Sequence, residues 1–176
     1  MDLRSEATRE TFRWPISASA TIDASPQQVW ATICTAGSLE GGHPFCADNT
    51  VSKWPGVGSV DAIRYLNGRA YERHFRGWHE GSGFDIELFY RGSELAWAFW
   101  RITDLGKGRS ELRVTVCPMR LQRLPVFVRW VPHLFVVRPH LRSYLASVVN
   151  GYKWFIEKGE AVPRNQFGRH PWFSAP

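Results

Sequence analysis

Glu72 and His74 are the residues of this chain whose types and spacing best suit chemistry. They stand two apart in the run Ala70–Trp78, and in a strand that spacing puts both side chains on one face. A carboxylate and an imidazole in an apolar pocket can act as acid and base, because burial moves both groups toward neutrality. The alternative is structural: Glu72 pairs with a neighbouring arginine and His74 is a satisfied core residue. His79 falls at a strand end and reads as solvated. His43, in His43-Pro44-Phe45-Cys46, reads as structural. Tyr90 and Tyr152 could each place a hydroxyl in a pocket, with aromatic packing the plainer role.

Other chemistries find no support. No nucleophile elbow, phosphate loop or metal-ligand cluster is present, and Gly56-x-Gly58 reads as a turn because no strand–helix unit surrounds it. No metal or cofactor is therefore expected. Cys34, Cys46 and Cys117 are odd in number and widely spaced, which does not make a disulfide framework. The formal net charge of +6 suits an anionic partner or simple solubility. The excess is scattered arginine without zinc-finger spacing or a lysine run, so nucleic acid is not expected. Residues 1–13 are charged and carry no apolar stretch, so they read as a polar leader, not a signal peptide. No apolar run reaches the roughly 18 residues of a membrane span. A reducing cytoplasm is the expected compartment.

The elements that must position these groups begin with Ile16, Ala18, Ala20 and Ile22, which alternate with polar residues as a half-buried strand. Ser25 then suits an N-cap, Pro26 the first helical position and Gln28 a capping box, predicting a helix over Pro26–Thr35. A short turn follows around Ser38–Glu40. Six strands are predicted next, near Asn49–Trp54, Ser59–Leu66, Ala70–Trp78, Phe84–Tyr90, Glu94–Thr103 and Arg109–Cys117. Gly-rich turns join them, with Asn67-Gly68 the strongest hairpin signal. Phe84, Ile86, Leu88 and Tyr90 share one face, and Leu112, Val114 and Val116 another. Glu94–Thr103 is apolar on both faces. A long helix is predicted over Pro139–Lys158, with Leu141, Leu145, Val148, Val149, Tyr152, Phe155 and Ile156 on one stripe.

In this order the chain resembles the polyketide cyclase/dehydrase and lipid-transport family. That family lies within the superfamily of START domains and the birch pollen allergen, SRPBCC. The residues that carry the resemblance are Ile22-Asp23-Ala24-Ser25-Pro26 with Val29-Trp30, His43-Pro44, and Pro55-Gly56-Val57-Gly58-Ser59-Val60. Tyr71-Glu72-Arg73 and Gly108-Arg109-Ser110-Glu111-Leu112 complete the match, which covers about residues 15–160. The resemblance implies an α+β helix-grip fold. A curved seven-stranded antiparallel sheet wraps a long C-terminal helix, and two short helices lie at one end. One departure is Gly42, where the family often has Trp before His-Pro; this suggests a looser or differently filled plug.

The resemblance also implies a deep apolar cavity between sheet and helix, with the Glu of the Glu-Arg pair facing into it. The expected lining is Glu72, His74, Phe84, Ile86, Leu88, Tyr90, Leu112, Val114, Val116, Leu141, Leu145, Val148, Val149 and Tyr152. Three functions compete. The first is binding or transport of an apolar small molecule such as a lipid, polyketide or steroid-like compound. The second is a cyclase or aromatase-like enzyme using Glu72 and His74. The third is an interaction protein whose cavity is filled by its own aromatics. The helix-grip domain spans 14–160 and includes an apolar, arginine-bearing insert at 119–138. Pro125, Pro132 and Pro139 recur there every seven residues, predicting short proline-started helices. Residues 121–137 suit a cavity lid, a homodimer contact or a peripheral membrane element. The tail 161–176 has no periodicity, and nothing in its sequence says where Trp172 and Phe173 dock.

Overall fold

A computed structural model describes residues 14–119 and 133–175. The leader 1–13 and most of the insert, 120–132, lie outside the described residues, so the short helices expected there are not described. The elements are β1 (Ile16–Ile22), α1 (Pro26–Ile33), α2 (Leu39–Gly42), β2 (Cys46–Lys53), β3 (Val60–Tyr65) and β4 (Ala70–His79). They continue as β5 (Gly83–Tyr90), β6 (Ser93–Gly106), β7 (Arg109–Pro118) and α3 (Arg138–Lys158). A wide helical turn, His133–Val137, leads into α3.

The seven strands form one curved antiparallel sheet in the order β1-β7-β6-β5-β4-β3-β2. Only the β1–β7 pairing joins strands distant in sequence; the rest is a meander of hairpins. The long helix lies against the buried face of this sheet, which is the helix-grip arrangement. Alternation decides the inward face of each strand. Ile16, Ala20 and Ile22 point inward from β1, and Leu112, Val114 and Val116 from β7. On β6 the inward set is Ala96, Ala98, Trp100 and Ile102, while Trp97 and Phe99 are half-buried on the other side; a register shift against β5 beside Leu95 lets that residue line the cavity as well.

Local signals explain the joints. Ser25 Oγ accepts from Gln28 N, and Gln28 Oε1 accepts from Ser25 N, so the capping box forms as the sequence predicts. Gly159 ends α3 with φ 70°, a left-handed conformation that glycine adopts without Cβ strain.

Two glycines set how closely α2 approaches α3. A Cβ on Gly151 would lie 2.4 Å from Gly42 O, and a Cβ on Gly42 would lie 2.6 Å from the Tyr152 ring. Gly42 therefore marks a tight contact between plug and helix: of the two expectations, a looser or a differently filled plug, the structure shows the second, with the Tyr152 ring in the space.

Candidate functional site

A partly open cavity of about 350 Å³ lies between the sheet and α3. Ile86, Leu88, Val114, Val116, Leu141 and Val148 line it, as the sequence expects. Phe84, Leu112, Leu145, Val149 and Tyr152 are buried but do not line it; they form core around it. Tyr90 is half-buried and stacks on Tyr71, its ring centroid 4.9 Å away, with Tyr71 at the cavity wall.

The expected acid–base pair needs correction. Glu72 and His74 are not in the cavity. Their side chains are 62% and 28% exposed and lie on the outer face of the sheet, where His74 Nε2 is 3.3 Å from Glu72 Oε2. The reason is the phase of β4. Its inward residues are Tyr71, Arg73 and Phe75, and alternation sends Glu72, His74 and Arg76 outward. The sequence carries this signal, because Tyr71 and Phe75 are the large apolar members of the strand. The expectation that a Glu-Arg pair turns its glutamate inward places the strand one residue out of phase.

Arg73 takes the interior position. It stands directly across from Asp61 in the β3–β4 register. Its Nε donates to Asp61 Oδ1 at 2.7 Å, and its Nη2 donates to Asp61 Oδ2. Asn49 Nδ2 adds a bond to Asp61 Oδ2 at 3.2 Å. Burial works against the arginine's charge, and Asp61 more than restores it, so the Arg73 pKa sits above its ordinary value. The guanidinium lies 5.3 Å from the Phe75 ring centroid.

Beside this ion pair is a chain of three polar rings that sequence reasoning missed. Phe45 N donates to His43 Nδ1 at 3.2 Å. Burial, reinforced by Arg73, lowers the His43 pKa to about 3, so the ring is neutral. With Nδ1 accepting, the ring proton sits on Nε2, which donates to Tyr144 Oη at 2.9 Å. Tyr144 Oη lies 2.7 Å from Tyr65 Oη. Burial raises both tyrosine pKa values. His43, Tyr65 and Tyr144 all line the cavity. They come from the α2–β2 junction, β3 and α3, and no local pattern in sequence links them.

The tail closes this end. Phe173 packs on Tyr65 at 4.5 Å and on Tyr144 at 4.3 Å between ring centroids, and Trp172 stacks on His140 at 4.9 Å. His170 Nδ1 accepts from Trp172 N at 3.2 Å and its Nε2 donates to His140 O at 3.0 Å. Asn67 Nδ2 of the β3–β4 turn donates to Trp172 O. Trp172 and Phe173 thereby become cavity wall. Pro118, just before the insert, and Val137, near its end, also line the cavity.

Among the described residues no group of three or more His, Cys, Asp or Glu is placed to hold a metal ion. No described helix is long and apolar enough to cross a membrane. Burial pushes the Cys46 and Cys117 thiols up to about 11, which suits packing, not nucleophilic work.

No family model matches the sequence, and no curated protein matches it. Solved structures do. DynU16, a putative protein of the dynemicin biosynthetic locus, is similar at a TM-score of 0.63 and 13% identity. The match covers 84% of this chain but 48% of DynU16, so the chain spans about half of that protein's length. The Aha1 dimer from Colwellia psychrerythraea is similar at 0.61 and 15% identity, over 84% of this chain and 98% of that one. The Zhui aromatase/cyclase from Streptomyces sp. R1128 is similar at 0.58 and 12% identity, over 85% and 99%. At these identities the likeness is one of fold alone: the chain shares a helix-grip fold with these structures.

Proposed function

We propose that this protein binds a compact, largely apolar small molecule in the cavity between the sheet and α3, and that it holds this molecule without transforming it. The observation that carries the reading is the cavity itself. At about 350 Å³ it is near the lower end of ligand-site volumes, which run from roughly 300 to 1,000 Å³. Its walls are aliphatic and aromatic apart from a small polar group at one end. That size fits a single small molecule better than a two-chain lipid. An interaction protein with an aromatic-filled interior fits less well, because the aromatic side chains among the described residues leave this space open.

Two features favour binding over catalysis. Glu72 and His74, the expected acid and base, face away from the cavity. The titratable groups that do face it are held far from neutrality. His43 falls to about 3, and the Tyr65 and Tyr144 pKa values are raised. General acid–base catalysis works best with a pKa near the working pH, and these groups lie on the wrong side of it in both directions.

The test is to fill the cavity. Val148 lines it from α3 and is 2% exposed. Val148→Trp is expected to abolish uptake of an apolar naphthalene probe while the circular dichroism of the fold is retained. Unchanged probe affinity in a folded variant overturns the reading. Mass spectrometry of the protein as purified identifies any natural occupant. Homodimerisation and membrane contact through 121–137 remain proposals of the sequence, tested by light scattering and by co-sedimentation with anionic vesicles.

A further inference from the structure

The polar end of the cavity has an unequal hydrogen count. His43 Nε2, Tyr144 Oη and Tyr65 Oη each carry one hydrogen, and the tautomer of His43 is fixed by the Phe45 N–H bond. The chain contains two hydrogen bonds, His43 to Tyr144 and Tyr144 with Tyr65. Three hydrogens serve two bonds. Whichever way the hydroxyl–hydroxyl bond points, one phenol O–H is left over. Among the described residues neither phenol has another hydrogen-bond partner. Both tyrosines line the cavity, so the surplus hydrogen belongs to a group at its wall.

Of the two arginines that line the cavity, Arg69 is solvent-exposed and Arg73 is buried, and the charge of the buried one beside the hydroxyl chain is closed. Arg73 is committed through Nε and Nη2 to Asp61, and Asn49 supplies Asp61 with a further donor. An anionic ligand group entering here would lose its hydration and meet an arginine that is already neutralised. A neutral acceptor oxygen loses less and gains the spare donor.

We propose that the surplus tyrosine hydroxyl is the recognition element of the cavity, and that the ligand is a neutral, mainly apolar molecule carrying a carbonyl or equivalent acceptor oxygen. This rests on the cavity being the binding site. The arrangement has an unusual consequence for mutation. Tyr65→Phe leaves Tyr144 to accept from His43 and donate to the ligand. Tyr144→Phe leaves the Tyr65 hydroxyl free to donate. Tyr144→Phe also frees the His43 Nε2–H at the same wall, so the two phenols are removed together in a His43→Leu background, where Tyr65 and Tyr144 alone still leave one donor over.

The experiment compares two fluorescent probes, a propionyl-substituted dimethylaminonaphthalene and its propyl analogue, in which CH2 replaces the carbonyl. The wild-type protein is expected to prefer the ketone by about three- to tenfold, the value of a neutral hydrogen bond. Each single variant keeps most of that preference. His43→Leu keeps the preference, and the triple variant His43→Leu/Tyr65→Phe/Tyr144→Phe binds both probes equally, with the propyl affinity of His43→Leu, which also shows that the cavity is intact. A preference that survives in the triple variant, or is absent from the wild type or from His43→Leu, overturns the proposal. A naphthalene carboxylate is expected to bind more weakly than the ketone, and tighter binding refutes the neutral-ligand requirement. An infrared readout needs no variant: the C=O stretch of the bound ketone moves below its value in hexane, and an unshifted stretch refutes the contact. Failure of both probes to bind the wild type overturns the cavity reading itself, and is thereby distinct from loss of the ketone preference alone.

Discussion

Two knots of aromatic rings lie in the interior, and they treat their polar atoms in opposite ways. In one, Trp30, Trp54, Phe75, Trp78 and Phe84 pack edge to face, with centroid separations of 5.0 to 5.4 Å for the Trp30–Trp78, Trp54–Phe75, Trp54–Trp78 and Phe75–Phe84 pairs. Its indole donors are taken up locally. Trp30 Nε1 and Trp78 Nε1 donate to the two oxygens of Glu80 at 2.9 and 3.0 Å, and Trp54 Nε1 donates to Cys34 O at 2.9 Å. In the other, His43, Tyr65 and Tyr144 share hydrogen bonds among themselves and retain one donor beside open space. Both knots are buried aromatic packing, so burial does not tell them apart. The difference is whether the hydrogen bonds close, and it assigns structure to one knot and recognition to the other.

The largest expected effect comes from the charge pair that borders both. Arg73 sits over Phe75 of the closed knot and lines the cavity of the open one. Arg73→Met leaves the Asp61 carboxylate unpaired with a side chain only 1% exposed. Removing one partner of a buried pair costs about 3–5 kcal/mol. Urea denaturation is expected to show a loss of that order. A loss under about 1 kcal/mol contradicts a buried, committed ion pair.

Next is the response to acid, which in these two knots belongs to the open one. The folded pKa of His43 is about 3, against 6.5 for the free side chain. Below about pH 6.5 the unfolded chain takes up a proton that the folded chain refuses. The native state is therefore fully favoured above that pH and loses stability down to about pH 3. The slope is roughly 1.4 kcal/mol per pH unit for one proton. His170, also lowered through burial, adds in the same direction. Stability measured by urea between pH 6.5 and 4 should fall, and His43→Gln should flatten the fall by about one proton. An equal slope in that variant removes His43 as the cause.

Much of this architecture is legible in the amino-acid sequence. The alternating strands, the Gly-punctuated turns and the capped first helix depend on neighbours a few residues apart, and each lies within a few residues of its expected place. The long helix, expected from Pro139, begins at Arg138. The site is legible only where one element supplies it, as with Val114 and Val116 on β7. The hydroxyl chain joins residues 79 and 101 positions apart, and such a pairing leaves no periodic trace. The docking of Trp172 and Phe173 comes from an aperiodic tail, where only the tertiary surface decides the position. Arg73 differs from these. Its phase is readable from Tyr71 and Phe75, and the expectation about its neighbour Glu72 hides it.

A smaller effect is expected from the closed knot. Glu80→Ala removes the acceptor of two indoles at once. Glu80 is exposed and water can replace part of what is lost, so the expected cost is about 1–2 kcal/mol. Ketone preference in the probe experiment stays as in the wild type. A changed preference joins the two knots into one functional unit and ends the distinction between them.

The smallest effect tests the boundary. Tyr152 lies on α3 eight positions after Tyr144, so the two rings project from neighbouring faces of one helix. Burial raises its pKa to about 12, and its ring meets Trp100 edge-on at 5.2 Å. By residue type and burial it looks like a second Tyr144. Its hydrogen bond is closed, however. Ser38 Oγ donates to Ile33 O at 3.2 Å, which leaves Ser38 to accept the Tyr152 hydroxyl, also at 3.2 Å. Tyr152 does not line the cavity, so its hydroxyl has no ligand to serve. Tyr152→Phe removes one long hydrogen bond and leaves the serine with a partner, which costs about 0.5–1 kcal/mol. Thermal denaturation should show a small drop, with ketone and propyl affinities both unchanged. A tyrosine on the same helix that loses its hydroxyl without altering recognition shows that hydrogen-bond closure, not burial or ring type, marks the binding end. A fall in ketone preference in this variant shows the reverse.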